Sequence, residues 1–387
     1  MNRGRARCGY PVLIIVFWVM EHTHDRVSEK LASSSVMQPQ QPLPAVPVTP
    51  DGANTGTKDP LSGVLRTVKL TGALFFAVDA TSPWGMEVPL ANTFGPIILP
   101  RAQHIISYHV ILQGSGYVAV SGMPPTRFEA GDIIVFPHGD AYAMLSRPGQ
   151  PPEFDTEDVL GFFRDMAAGR LPFVVEEGGG GPERAQFVCG FLGCDTRPFN
   201  PLLGALPRLL LMKRPADLQN DLLDRLIDLT LAEVRGGGVG AECIRLGLSE
   251  LIFIEVVRRY LATLDADQTG WLLGLRDAAV GRALALLHER PALAWTLEEL
   301  AKQSGMSRSV LADRFAHMVG YPPMQYLTQW RMQLAARLLS DGVMKVSAVG
   351  QEVGYASEAA FSRTFKRIAG VSPAAWRERQ IISKIDL

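Results

Sequence analysis

Between residues 61 and 200 the apolar positions come in short or alternating runs, at 65–70, 73–78, 97–99, 109–112, 117–120, 133–136 and 187–191. Turn signals separate them, among them Gln113-Gly114-Ser115-Gly116, Gly122-Met123-Pro124-Pro125 and Ala130-Gly131-Asp132. Many short strands with Gly/Pro turns predict a β-sandwich or barrel. Glycines 178–181 read as a flexible loop. Past residue 201 the period lengthens. Residues 202–213, 217–235 and 241–264 carry apolar side chains at helical spacing, and in the second of these Leu218, Leu222, Leu226 and Leu229 step by three or four. The third is apolar over much of its circumference, through Ile244, Leu248, Leu251, Ile252, Phe253 and Val256. Such a helix belongs in a core or against another subunit.

From residue 275 onward the whole pattern is helical. A helix over 275–290 stops at Pro291. Thr296 is placed to cap the next one, with Glu299 completing a capping box, Leu297, Leu300 and Ala301 forming the apolar stripe and Gly305 ending it. Ser307 then caps a second helix whose Leu311 and Phe315 face back. The small Ala301 four residues before the turn glycine lets the two helices cross closely, which is a helix-turn-helix. The arrangement recurs. Leu300, Ala301, Gly305, Met306, Leu311 and Phe315 are echoed by Val349, Gly350, Gly354, Tyr355, Phe361 and Phe365, with one extra residue in the second turn, and Ser357 as its cap. A helix over 323–340, with Leu327, Trp330, Leu334 and Leu338 along one face, joins the units. A rigid connector fixes the separation of two such recognition helices, and successive major grooves on one face of B-DNA lie about 34 Å apart.

Charge supports that reading. The chain has 387 residues, 47% apolar and 20% charged, as in a globular protein of two or three domains, and its formal net charge is only −1. Residues 275–387 nevertheless hold 15 basic against 10 acidic side chains, a net +5, while the remainder is net −6. A surface for a polyanion therefore belongs at the C-terminal end. Of the four cysteines, Cys189 and Cys194 lie five apart, which matches no zinc or redox spacing, so reduced, buried thiols are expected. Near the start, Arg3, Arg5 and Arg7 precede an apolar run over 11–20 that is too short to span a membrane. Residues 32–60 are rich in Ser, Pro, Gln, Thr and Gly. Residues 1–58 thus read as a disordered leader and linker, with Met37 a candidate start.

The C-terminal hundred residues resemble the AraC/XylS family of bacterial transcription regulators. The residues that carry the resemblance are Leu300-Ala301, Gly305-Met306-Ser307, Phe315, Gly320-Tyr321-Pro322-Pro323, Trp330-Arg331-Met332, Val353-Gly354-Tyr355, Phe361-Ser362-Arg363, Phe365-Lys366 and the closing Gly370-Val371-Ser372-Pro373 with Trp376-Arg377. Residues 59–200 resemble, more loosely, the cupin-type sensor domains found in front of one branch of that family, through Tyr108-His109, Gly114, Gly131-Asp132 and Pro137-His138-Gly139-Asp140. The resemblance implies a multidomain chain: a β-barrel, cupin-like effector-sensing domain over 59–200, a helical dimerisation region over 201–268, and an all-α DNA-binding domain over 275–380 with helix-turn-helix units at 296–317 and 346–367. It implies a cytoplasmic, non-enzymatic regulator that binds double-stranded promoter DNA, answers to a small-molecule effector, works as a homodimer and has RNA polymerase as a further partner.

The resemblance also places the recognition helices at 307–317 and 357–367. Facing outward on the first are Arg308, Ser309, Ala312 and Asp313, and on the second Glu358, Ala359, Ser362, Arg363 and Lys366. Arg363 is the strongest candidate for base readout, because its fork can take two hydrogen bonds from guanine; a phosphate contact is the alternative. Asp313 either accepts from a cytosine amine or pairs with a neighbouring Arg. Ser309, Ala312 and Ala359 read only thymine methyls or waters, so the first unit is expected to be the less specific. Ser307 and Ser357 are read as caps, although a helix N-terminus also clamps a phosphate. In the sensor, Ser107, Gln113 and Tyr142 stand where metal-binding cupins place a His, a Glu and a His, leaving His109 alone. No metal and no cofactor are expected. Trp84, His104, Tyr108, His109 and Tyr142 are candidates for the effector pocket, with ordinary barrel core as the alternative for each. Two rival readings stand beside this one: a metal-dependent cupin enzyme fused to a DNA-binding module, and a ligand-independent regulator acting through a protein partner.

Overall fold

A computed structural model describes residues 59–67, 70–151, 156–195, 198–214, 221–236, 238–265 and 270–385. The leader expected over 1–58 lies outside them. The described chain opens with α1 (Pro60–Thr67), capped by Asp59, whose carboxylate accepts from the Leu61 and Ser62 amides at 3.0 and 3.1 Å. The sensor follows as β1 (Leu70–Thr81), β2 (Gly85–Val88), α2 (Ala91–Ile98), β3 (His104–Gln113), β4 (Ser115–Val120), β5 (Thr126–Glu129), β6 (Ile133–Phe136), β7 (Tyr142–Leu145), α3 (Thr156–Ala167), β8 (Val174–Gly178), β9 (Arg184–Cys194), α4 (Pro201–Ala205) and β10 (Leu210–Met212). The strands form two sheets, ordered β10-β6-β3-β9-β1-β8 and β2-β7-β4-β5, rather than one closed ring of hydrogen bonds.

Several elements differ from the sequence reading. Residues 97–99, expected as strand, end the helix α2, whose Ala91, Phe94, Gly95 and Ile98 are buried at the spacing of one helical face. The run 65–70 is divided between α1 and the first residue of β1. The helix expected over 202–213 stops at Ala205. Pro207 has no amide to continue it, and Leu210, Leu211 and Met212 instead pair antiparallel with Val135, Ile134 and Ile133, extending the six-stranded sheet. The sequence reading also missed α3, which packs Phe163 and Met166 against the inner core.

Two helices cover the outer face of the six-stranded sheet: α5 (Leu222–Gly236) and α6 (Ala241–Thr263). The latter buries Leu248, Ile252, Phe253, Val256 and Val257 in one core with Tyr108, Val110 and Val188 of the sheet. Then come α7 (Trp271–Arg276) and α8 (Ala278–Glu289), where one helix over 275–290 was expected. Asp277 separates them and caps α8, accepting from the Ala279 and Val280 amides at 3.1 and 2.8 Å. The first helix-turn-helix is α9 (Leu297–Ser304) and α10 (Arg308–Val319), the connector is α11 (Pro323–Asp341), and the second unit is α12 (Val346–Glu352) and α13 (Glu358–Ala369), closed by α14 (Pro373–Ile385).

Three apolar cores form among the described residues. One fills the space between the sheets. A second runs without interruption from α1 and the outer face of the six-stranded sheet through α6 and α8 to Leu300, Leu311 and Phe315 of the first helix-turn-helix. The third belongs to the second unit, with Met332, Ala335, Ala336 and Leu339 of α11 around Val349, Phe361, Phe365 and Trp376.

Candidate nucleic-acid interface and effector cavity

Each recognition helix is set by the same local devices. Thr296 Oγ1 accepts from the Glu299 amide at 3.1 Å, so α9 begins where the cap was expected. Gly305 turns the chain with φ 75°, and the Met306 amide returns to the Ala301 carbonyl at 3.0 Å, consuming acceptors left open at the helix end. Ser307 Oγ then accepts from Val310 N at 3.4 Å and starts α10. In the second unit the Tyr355 amide returns to the Gly350 carbonyl at 2.9 Å, and Ser357 Oγ accepts from Ala360 N at 3.2 Å to start α13. Gly354 has φ 86°, and a Cβ there would sit 2.5 Å from the Ala292 carbonyl oxygen, so both conformation and space exclude a side chain.

Arg308, Ser309 and Asp313 are exposed on α10 and Ala312 is half-buried. On α13, Glu358, Ala359, Arg363 and Lys366 are exposed and Ser362 is half-buried. The neighbouring Arg314 is held elsewhere, in an ion pair with Asp277 that ties α10 to the start of α8. Asp313 does not share that arginine. Two residues outside the sequence reading add to these faces. Val310 is 50% exposed on the first recognition helix, an apolar group of the kind that meets a thymine methyl, and Arg367 adds a cation to the second. Val310 breaks the apolar periodicity of its helix in a way visible from sequence, and Arg367 continues the basic outer face of its own.

The two units are locked to each other through Arg331 of the connector. Its guanidinium donates to the carbonyls of Pro291 and Leu293, at 2.7 and 2.8 Å, and its charge lies 5.9 Å from the centre of the Tyr355 ring in the second turn. The segment before α9 therefore touches the second turn twice, through Arg331 and through the close approach of Ala292 to Gly354. The connector is in turn fastened to the sensor side. Phe199 N donates to Gln333 Oε1 at 3.0 Å, and its ring stands edge-on to Tyr326. Tyr326 Oη accepts from Trp271 Nε1 at 2.9 Å and hydrogen-bonds His288 Nε2 at 2.7 Å. His288 stacks on Trp330 with centroids 4.1 Å apart, and burial pushes its pKa down to about 3.

Within the sensor, a cavity of about 290 Å³ opens between the sheets. Phe76, Cys189 and Phe191 line it from the six-stranded sheet, Met86 and Val88 from β2, and Val159, Phe162 and Phe163 from α3. His109 is the buried polar side chain of this lining. Its Nδ1 lies 3.2 Å from Cys189 Sγ and its Nε2 2.8 Å from Tyr142 Oη, and burial depresses its pKa to about 3, which keeps the ring neutral. Burial likewise pushes the Cys189 thiol and the Tyr142 hydroxyl up. With both imidazole nitrogens in protein contacts, and a serine and a tyrosine where ligands would stand, this set of donors does not fit a divalent ion.

The five residues proposed for the pocket divide by strand parity. His109 and Tyr142 face inward together, and Trp84 packs near them against Phe128 and Phe187. Tyr108, one residue from His109, faces the opposite side of the sheet, where its hydroxyl hydrogen-bonds Ser249 Oγ of α6 at 3.0 Å. Its ring lies over Gly190, and any Cβ there would overlap it at 2.1 Å. His104 also stands apart, its Nε2 donating to the Pro137 carbonyl at 2.6 Å beside a separate cleft next to α2. His109 alone of the five lines the cavity. The charged lining, Glu87, Asp158 and Glu177, lies on β2, α3 and the parallel strand β8, none of which the sequence pattern predicts.

Comparison with known proteins fits this geometry. The family model described as a cupin matches residues 59–262, thus including α5 and α6 with the sheets, and a helix-turn-helix domain model matches 300–379. A putative AraC-like transcription regulator of Streptomyces lividans is 28% identical over 322 residues, covering 83% of this chain and 98% of that protein. The HTH-type transcriptional regulator AlkR of Acinetobacter baylyi is 29% identical, covering 83% and 99%. An HTH-type transcriptional regulator of Haemophilus influenzae is 32% identical over 276 residues, covering 70% and 85%. The fold and both sites define a DNA-binding transcription regulator with a cupin domain in front. The chain belongs to the AraC-type family of such regulators.

Proposed function

We propose that the protein is a cytoplasmic, effector-responsive regulator that lays its two recognition helices in successive major grooves of promoter DNA. The observation that carries this reading is the pair of exposed recognition faces on one bracketed connector. Arg331, with Gly354 against Ala292, holds the two units in one fixed relation, as binding in successive grooves about 34 Å apart requires. Arg308 anchors the first helix to phosphate. Arg363 reads a base through the second, with Glu358, Ser362 and Lys366 beside it. Among the described residues no helix is long and apolar enough to cross a membrane. The cavity is read as an effector site rather than a catalytic one, in line with the similarity to transcription regulators. A gel-shift titration of the full chain on its own promoter region, repeated at rising salt, tests the DNA-binding half. Affinity is expected to fall linearly on a log–log plot with a slope of about −0.9 per phosphate neutralised. Salt-independent binding contradicts it.

The same reading places the effector in the cavity between the sheets and the dimer contact on α5 and α6. Leu222 and Leu229 on α5, and Ile244 and Leu251 on α6, are each about half exposed and lie seven residues apart, an outward apolar stripe on each helix. Light scattering is expected to give a dimer at micromolar concentration, and a monomer there removes the contact.

A further inference from the structure

Two adjacent side chains of opposite charge hold the junction between α6 and the DNA-binding helices. Arg276 ends α7, and its guanidinium donates to the carbonyls of Leu261 and Leu264 at 3.3 and 2.8 Å. Those carbonyls lie at the C-terminal end of α6, where a helix leaves acceptors unpaired and favours a cation. Asp277 comes next in the chain and uses both carboxylate oxygens. Its Oδ1 takes the Ala279 and Val280 amides that start α8, and its Oδ2 takes the guanidinium of Arg314. Arg314 lies between the outward Asp313 and the buried Phe315, on the flank of the first recognition helix. The Asp277 side chain is 8% exposed and that of Arg314 51%, so the acid is the fixed end of the pair. α7 also grips the end of α10. The Gly270 amide donates to the Met318 carbonyl at 2.9 Å, and a Cβ on Gly274 would stand 3.3 Å from Val319. On the sensor side, α6 is joined to the sheet by the hydrogen bond from Tyr108 to Ser249, and Tyr108 adjoins His109 of the cavity wall.

We propose that Asp277 is a positioning residue for DNA binding: it sets the orientation of α10 through Arg314 and, with Arg276, makes that orientation follow the end of α6. The proposal rests on the reading above, in which α10 meets DNA, and names the side chains through which the sensor acts on it. The shared apolar core holds α6, α7 and α10 close together, but apolar contact is not directional. Hydrogen bonds from a guanidinium to two carbonyls, and from a second guanidinium to a buried carboxylate, fix angle as well as distance. Arg314 therefore serves Asp277 and not a phosphate.

The test uses the full chain and a duplex that it selects from random DNA. Asp277→Asn keeps a helix cap, since asparagine caps as well as aspartate, and removes the charge that holds Arg314. Arg314→Gln changes an exposed side chain, so folding is not at risk. Each is expected to weaken binding about tenfold, and the double variant by no more than either, because the same interaction is lost in all three. The salt dependence is expected to keep its wild-type slope, since no phosphate contact is removed. A slope reduced by about 0.9 in Arg314→Gln overturns the proposal. So do additive losses, and so does tighter binding by Asp277→Asn through a freed Arg314. Hydrogen exchange reads the link to α6. Coupling is reciprocal, so a sensor that acts on DNA binding must itself respond to DNA. In the wild type, DNA is expected to slow exchange of the amides over 255–264 about tenfold. In Arg276→Gln that response is expected to vanish while the duplex still binds. A response that survives Arg276→Gln, or is missing from the wild type, overturns the link. A wild-type chain that selects no duplex overturns the groove-binding reading and the proposal together.

Discussion

The first helix-turn-helix packs Leu300, Leu311 and Phe315 into the same core that holds Val64 of α1, Val188 of the sensor sheet and Val256 of α6. In the second, Phe361 and Phe365 close a separate core with Trp376 and four residues of α11. The local motif is nearly identical in the two, down to the serine caps and the left-handed glycines. What differs is the support. The first unit is continuous with the sensor, so anything that shifts the six-stranded sheet acts on it directly. The second receives the shift through α11, the Arg331 bracket and the approach of Ala292 to Gly354. Motif geometry sets what a recognition helix presents, while core continuity sets what can move it.

Core deletions break this contrast most strongly. Phe315→Ala and Phe365→Ala each remove a fully buried ring, at a cost of about 3–5 kcal/mol. In scanning calorimetry Phe365→Ala is expected to split off an early transition belonging to the second unit, leaving the main one in place. Phe315→Ala is expected to lower the main transition. If Phe365→Ala moves all transitions together, the second unit has no independent core.

Acid should discriminate the same two regions. His109 and His288 are both neutral in the fold, with pKa values near 3, well below the usual 6.5 of an unfolded chain. Stability is therefore intact above pH 6.5. It is lost as pH falls from 6.5 towards 3, because the unfolded chain takes up protons that the native state refuses. At pH 5 each histidine costs about 2 kcal/mol. No histidine follows His317 in the chain, so the second unit lacks this sensitivity. Chemical denaturation at pH 7 and pH 5 is expected to weaken the sensor and first unit far more than the second, and equal losses contradict the assignment.

Readout gives a third contrast. Arg363→Ala is expected to flatten base preference at one or two positions, a loss of about 1–3 kcal/mol of discrimination. Arg308→Ala should weaken binding about equally on all sequences. Selection from random DNA with both variants checks this, and the reverse pattern shows the roles exchanged. The smallest effect is at the caps. Ser307→Ala and Ser357→Ala each cost about 1 kcal/mol. The same loss moves the melting point of a small cooperative unit further than that of a large one, so Ser357→Ala should give the larger shift in its own transition.

Much of the DNA-binding region was legible in the sequence, because its signals are local. Thr296, Ser307 and Ser357 cap where their spacing to the apolar stripe requires, and Gly305 and Gly354 turn the chain where no side chain is tolerated. The sensor was less legible, since its chemistry depends on pairing across long separations. Asp158 and Glu177 reach the cavity on α3 and on β8, which pairs parallel to β1, and neither element announces itself by a strand-like run. Strand parity is legible in the sequence as well: Tyr108 and His109 are adjacent on β3, so they cannot serve one pocket. The break at 205–210 turned on Pro207 and on a partner strand more than seventy residues earlier.

The path of α11 bears on how such a protein can be recombined. Its first half belongs to the sensor-linked core through Tyr326, Leu327 and Trp330, and Gln333 reaches back to Phe199. Its second half, Ala335, Ala336 and Leu339, belongs to the other core. The natural seam of the molecule thus lies inside a helix, near Gln333, and not in the chain before α7. A chimera joined ahead of α7 removes the Phe199 ring from the edge of Tyr326 and leaves the Phe199 amide without its acceptor. One joined within α11 between Trp330 and Met332 carries the second recognition helix across with its own core entire.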